Sequence, residues 1–283
     1  MSGAESSASQ ADRRVRTRDG LDRRQLMRQT LQIGQAVAVI GFLAWLIARG
    51  ASSLDYRWQW YRLGPYFYKI VDGQLIWGPL IKGLIETLRI TALSAVLTVL
   101  IGLATALARM SNSFAGRVIA TGYLEAIRNT PLLVQLFLFY FVLAPILGVD
   151  RFWSGVLCLA FFEGSFAAEI IRGGIQGVDR GQWEAADATG LTRSDRFRFV
   201  ILPQALPLIL PPLTGLLISL IKHSAIVSVI AVPELTTAAK NLISKTFMAF
   251  EVWFVVAALY LAVTITLSVA VSLFERKLTR NRR

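Results

Sequence analysis

The sequence predicts an all-α, polytopic integral membrane protein with about six transmembrane helices, and three observations predict it. Of its 283 residues, 54% are hydrophobic and only 17% are charged, whereas an ordinary soluble domain carries about 25% charged residues. Mean hydropathy is +0.53. The apolar residues also gather into runs that approach the roughly 20 residues needed to cross a bilayer.

The first run is Ile33 to Ile47 with its flanks, and the second, Leu84 to Ala108, is long enough to tilt. The third extends from about Tyr123 to Leu147 and the fourth from Phe152 to Ile171. Prolines interrupt the fifth, Val200 to about Ile230, and Val252 to Leu273 is the sixth. The first run is read as a retained helix and not a signal peptide. A long basic tail precedes it, Ala-Arg-Gly-Ala-Ser-Ser follows it, and its removal leaves an odd number of spans.

Arginine and lysine set the orientation. Arg13, Arg14, Arg16, Arg18, Arg23, Arg24 and Arg28 precede the first span, and Arg276, Lys277, Arg280, Arg282 and Arg283 follow the last. Both termini are therefore expected in the cytoplasm, together with the loop that carries Arg180, Arg193, Arg196 and Arg198. The net charge of +12 follows from this topology, because the charges sit in tails and loops and not along one soluble face, so nucleic acid is not an expected partner. The single cysteine, Cys158, excludes an internal disulfide and a cysteine metal cluster.

Between the fourth and fifth runs lies a polar island, Gly181 to Pro207. Asp179 can cap a helix, Ala185, Ala186 and Ala188 propagate it for about two turns, and Gly190 can end it in a left-handed conformation. So short a helix is unstable alone in water and needs a surface to lie on. Thr192 followed by Asp195 resembles a second helix start, which carries the chain back into the membrane. Trp183 is a large apolar anchor for a partner, and Glu184 can fix the stub by charge-assisted hydrogen bonds.

The series Glu184-Ala185-Ala186, then Gly190, then Val200-Ile201-Leu202-Pro203 resembles the EAA signature of bacterial ABC importer permeases, with Val200 where isoleucine is usual. Arg128-Asn129-Thr130-Pro131-Leu132-Leu133-Val134-Gln135, Glu169-Ile170-Ile171-Arg172-Gly173-Gly174-Ile175, Gly181-Gln182-Trp183 and Val229-Ile230-Ala231-Val232-Pro233-Glu234-Leu235 are similar to the polar amino-acid uptake branch, histidine/glutamine type. The resemblance implies a five-helix type I core over 83–274. Before it come a basic tail (1–29), an extra helix (30–49) and a periplasmic connection (50–82), and a second basic tail (275–283) follows.

It further implies that Trp183, Glu184, Ala185, Ala186, Gly190 and Pro203 belong to a coupling helix that docks on a separate ATPase. That partner would bind ATP and magnesium, since this chain has no Walker A pattern and is expected to hold no cofactor or metal and to catalyse nothing itself. A periplasmic or lipid-anchored substrate-binding protein, a second permease (identical or similar) and membrane lipid complete the expected partners. The class is a cell inner-membrane permease for binding-protein-dependent amino-acid transport. The alternative is an ion-coupled secondary amino-acid transporter, which often shows inverted repeats not evident here.

Polar groups inside apolar runs are pathway candidates because lipid penalises them. Glu163 lies roughly 16 Å along the fourth helix from Phe152, near the middle of the core. It can receive a substrate ammonium, with Ser165 nearby, or form a buried interhelical pair. Glu169 can join the pathway, or bridge to Arg172 three residues on. Thr130 stands at a proline break, and Gln135 can bind a carboxylate or carboxamide or act as helix glue. Pro203, Pro207, Pro211 and Pro212 are expected to bend the fifth helix. His223 departs from the acidic or amide residue usual there, and reads either as a pH sensor or as an interfacial structural histidine. The aromatic segment Tyr56 to Tyr68 reads as an interfacial belt or as a contact for the binding protein.

Overall fold

The computed structural model describes residues 31–46, 49–50 and 56–280, with 274–280 as helix only. The basic tail expected over 1–29 and the last three residues lie outside them. The chain divides into two units, Met1–Trp58 and Gln59–Arg283. Among its described residues the first unit holds one apolar helix, α1 (Leu31–Leu46), which is shorter than the length that spans a bilayer unaided.

In the second unit a short helix, α2 (Gly64–Phe67), leads into a two-stranded antiparallel hairpin, β1 (Tyr68–Val71) and β2 (Gln74–Trp77). Its turn is Asp72-Gly73, both at positive φ, +50° and +77°, as a tight two-residue hairpin turn requires. The region expected as plain connection thus carries a strand pair, and Asp-Gly between Tyr-Lys-Ile-Val and Gln-Leu-Ile-Trp was the signal for it.

The long α3 (Pro79–Met110) starts with proline in its first turn, where a missing N–H costs nothing. Its buried face carries Thr87, Thr91, Ser94, Thr98, Gly102 and Thr105, a seam of small and hydroxyl residues at spacings of three and four. In lipid, such seams let helices approach closely. Thr87 accepts from Leu235 N at 3.1 Å; from Ser94 on the partner is α7 (Arg151–Gln176), capped by Asp150, whose carboxylate accepts from Trp153 N at 2.9 Å. Ser94 donates to the Val156 carbonyl at 3.1 Å. A Cβ added at Gly102 would lie 2.6 Å from the Ala167 Cβ, so only glycine fits that crossing. Contacts run Ser94 to Val156 and Gly102 to Ala167 in ascending order on both helices, so α3 and α7 are parallel.

The expected third span is corrected in shape. α4 (Phe114–Arg128) ends at Asn129, and α5 (Leu132–Phe137), a π-helical segment Leu138–Leu143 and α6 (Ala144–Leu147) continue at 109° to it. Pro131 is the cause: it lacks an N–H and drives Thr130 out of helical geometry. The fifth span, Arg193–Ile230, starts as α9 (Arg193–Asp195), passes through a π-helical stretch Arg196–Ile201, and becomes α10 (Leu202–His223) and then a 3-10 segment Ser224–Ile230. Pro207, Pro211 and Pro212 sit inside α10 without dividing it, and the irregular turns lie at its two ends.

Glu234 begins α11 (Leu235–Thr246), accepting from the Thr236 and Thr237 amides at 2.7 Å each and from the Tyr260 hydroxyl of α12 (Ala249–Arg280) at 3.0 Å. Among the described residues four helices are long and apolar enough to cross a membrane, or five where the bent pair is counted as one span, against the six expected.

Candidate functional site

Three polar constellations stand out in the second unit. The first is the stub α8 (Arg180–Ala188). Asp179 caps it, accepting from Gly181 N at 2.8 Å, and Gly190 leaves it at φ +73°. Thr192 caps α9, accepting from Asp195 N at 3.2 Å and donating to the Asp195 carboxylate at 2.7 Å. All these local signals were legible in the sequence.

What clamps the stub was not. Arg196 lies over the Trp183 ring at 5.4 Å and pairs with Asp187, and Gln204 donates to Gln182 at 3.0 Å. Trp183 and Ala186 face inward, the indole packed on the cluster of Ala106, Ile171, Ile175, Ile201 and Ala205. The indole expected to serve a partner thus anchors the stub to its own chain, because that is the apolar surface within reach. Glu184 and Ala185 stay exposed on the other side, Glu184 paired among the described residues with Arg180, at 3.1 Å. Pro203 sits in the first turn of α10, next to Gln204 of the clamp.

The second constellation surrounds Glu169. Its carboxylate is paired with Arg109 of α3, with Arg172 at 2.7 Å on its own helix, and with Arg128 of α4 at 3.9 Å. Arg172 also donates to Gln176, and Arg128 lies over Phe166 at 5.5 Å. The Arg172 bridge followed from the spacing of three; Arg109, sixty positions away, did not. Beside this cluster the break at Thr130 is stapled from within. Gln135 donates to the Ile127 carbonyl at 2.7 Å and to Thr130 Oγ1 at 2.8 Å, while the threonine hydroxyl donates to Ala126 at 2.8 Å. Gln135 therefore acts as glue within its own span.

The third is the pair Glu163 and His223. Glu163 on α7 is only 3% exposed, and its carboxylate meets His223 Nδ1 at the end of α10. The imidazole is 44% exposed and stands edge-on to Phe162. An acceptor and a ring nitrogen are thereby presented side by side within the spans. Ser165 does not join them: it is buried and donates to the Phe162 carbonyl at 2.7 Å. His223, read from the sequence either as a pH sensor or as an interfacial structural histidine, is the partner of Glu163, and its solitary place at the end of an apolar helix was the one available signal.

Residues 98–280 match the family model described as binding-protein-dependent transport system inner membrane component. The probable glutamine ABC transporter permease protein GlnM of Bacillus subtilis is 37% identical over 70% of this chain and 93% of its own length. The L-cystine transport system permease protein TcyB of the same organism is 39% identical, over 73% and 89% respectively. Among solved structures, an amino acid ABC transporter crystallised with histidines superposes with a TM-score of 0.66 at 45% identity, covering 70% of this chain and 94% of that one. The MetNI methionine ABC transporter, at 21% identity and a TM-score of 0.60, shares the fold. With four or five spans among its described residues, a clamped stub between the fourth and fifth runs and a match over most of its length, this chain belongs to the family of binding-protein-dependent transport system inner membrane components.

Proposed function

We propose that the chain is the permease subunit of an ATP-driven importer that carries a polar amino acid across the bacterial inner membrane, with both termini in the cytoplasm. The observation that carries this reading is the clamp on α8. A nine-residue helix held by Arg196, Asp187 and Gln204 to the base of α10 moves with that helix, while its outer side, Glu184 and Ala185, is free to be gripped. A separate ATPase closing on ATP, and holding two such permeases, pulls the stubs together and reorients the spans, which is how a differential free energy is delivered to the inward- and outward-facing states.

Glu163 and His223 are the contacts for a passing zwitterion: the carboxylate receives the ammonium, and the ring nitrogen meets the carboxylate or a polar side chain. Glu169 in its arginine cage and the stapled turn of Thr130 and Gln135 hold α3, α4 and α7 in register at the same end as α8. A soluble substrate-binding protein supplies the amino acid from outside.

Affinity purification from gently solubilised membranes tests the reading. The parent chain is expected to bring down a soluble ATPase that a normally inserted Gly190→Arg variant does not. A parent that recovers no ATPase, and that alone accumulates amino acids in liposomes on an ion gradient, would establish a secondary transporter instead.

A further inference from the structure

At the end of the bundle opposite α8, three lysines converge on one cavity of about 430 Å³. Lys69 comes from β1, Lys82 from the first turn of α3 and Lys245 from the last turn of α11. No acidic residue lines the cavity, and among the described residues none of the three ammonium groups has an ion pair or hydrogen bond. The Lys245 position is unremarkable, since a cation suits a helix C-terminus. Lys82 is the opposite case. It sits at the positive end of a 32-residue helix whose first turn has no side-chain cap, beside two further ammonium groups. Lys82 is exposed, as are Lys69 and Lys245, so solvent moderates the cost, but the dipole and the like charges both favour an anion there. The Asn241 amide adds a donor to the same wall.

Apart from Thr237 the remaining lining is apolar, with Tyr66, Pro79 and Leu242 prominent, and exposed apolar residues neighbour the lysines along the chain. Ile85, one turn along α3 from Lys82, is 49% exposed. Phe247, two residues past Lys245, takes a left-handed backbone at φ +60° and leaves its ring 81% exposed. Aromatic rings and apolar side chains displayed beside ammonium groups are the arrangement of a membrane interface.

We propose that this cavity binds the phosphate of an anionic phospholipid headgroup, with Lys69, Lys82 and Lys245 on its oxygens and Ile85 beside the acyl chains. The site is distant from Glu163 and from α8, so it stands or falls independently of the transport reading.

The test is native mass spectrometry of the purified full chain in mild detergent. The protein is equilibrated with equal amounts of phosphatidylglycerol and phosphatidylcholine of the same acyl chains. The parent should retain one phosphatidylglycerol in preference. Each lysine near a headgroup contributes a factor of about five, so Lys82→Gln with Lys245→Gln should lower that preference about 30-fold, and Lys82→Arg with Lys245→Arg should keep it. Equal retention of the two lipids by the parent overturns the proposal, and so does a preference that the glutamine variant keeps. Displacement of the lipid by inorganic phosphate alone at millimolar concentration overturns the lipid source in favour of a free anion. Equal lipid retention joined to lysine-dependent capture of an acidic soluble protein assigns the cavity to protein docking. Should the glutamine variant fail to insert, the parent's choice between the two lipids, and its weakening by salt, still decides.

Discussion

Replacing Arg196 with alanine removes two of the ties that hold α8 and leaves its caps intact. The guanidinium over Trp183 is worth about 0.5–1 kcal/mol at a partly exposed site. Its pair with Asp187, whose side chain is 58% exposed, is worth about 0.2–1 kcal/mol after solvent screening. Their loss costs about 0.7–2 kcal/mol of local stability, a factor of about 3–30 in the opening equilibrium. A helix of nine residues has no stability of its own to offset this. Hydrogen exchange of the parent and Arg196→Ala in the same detergent reads it directly. Amides of Gly181 to Ala188 should exchange about 3–30 times faster in the variant, with α7 and the upper part of α10 unchanged. Raising the salt should narrow the gap, because only the ion pair is screened. Exchange in α8 within twofold of the parent, or acceleration that spreads to α7, would refute the clamp.

Three further outcomes are expected. Gly102→Val places atoms against Ala167 and Ala168 and should cost about 1–3 kcal/mol by overpacking; because the single cysteine, Cys158, is buried, its reaction with a maleimide on heating reports the transition, which should fall by several degrees while Gly122→Ala, with open space around it, leaves it in place. Glu169→Gln leaves Arg109, Arg128 and Arg172 facing one another without their counter-charge, so the same assay should show a lower transition that a second change, Arg172→Gln, partly restores. Glu163→Gln keeps the shape of a side chain that meets His223 but removes the charge an ammonium would seek; uptake by the reconstituted importer should fall at least tenfold with the transition temperature little changed, and unaltered uptake would mean that the pair only joins α7 to α10.

The sequence and the structure agree where the determinants are local. Asp179, Gly190, Thr192 and Asp195 act within four residues of what they cap, so the limits of α8 and the start of α9 could be read in advance. The bridge from Glu169 to Arg172 is local in the same way. Pairings across the chain were not legible: Glu163 with His223 and Arg109 with Glu169 each join residues sixty positions apart, and nothing in either neighbourhood names the other. Pro131 announced a break, but the angle of 109° is set by what α4 and α5 pack against. Two signals were present and went unused. Asp72-Gly73 between two largely apolar quartets marks the hairpin, and the three- and four-residue spacing from Thr87 to Thr105 marks the buried face of α3, which meets α7 from Ser94 on.

The central claim, that force enters this chain at α8 from an external ATPase, is tested most directly by amino-acid uptake into liposomes holding the chain, its co-purified ATPase and the cognate binding protein. Uptake should require ATP on the ATPase side. Arg196→Ala, with its loosened α8, should hydrolyse ATP with the complex still assembled yet move less amino acid per ATP than the parent. Uptake that proceeds without ATP on an ion gradient, or an unchanged ratio of transport to hydrolysis in a variant whose α8 is demonstrably loosened, would contradict the account.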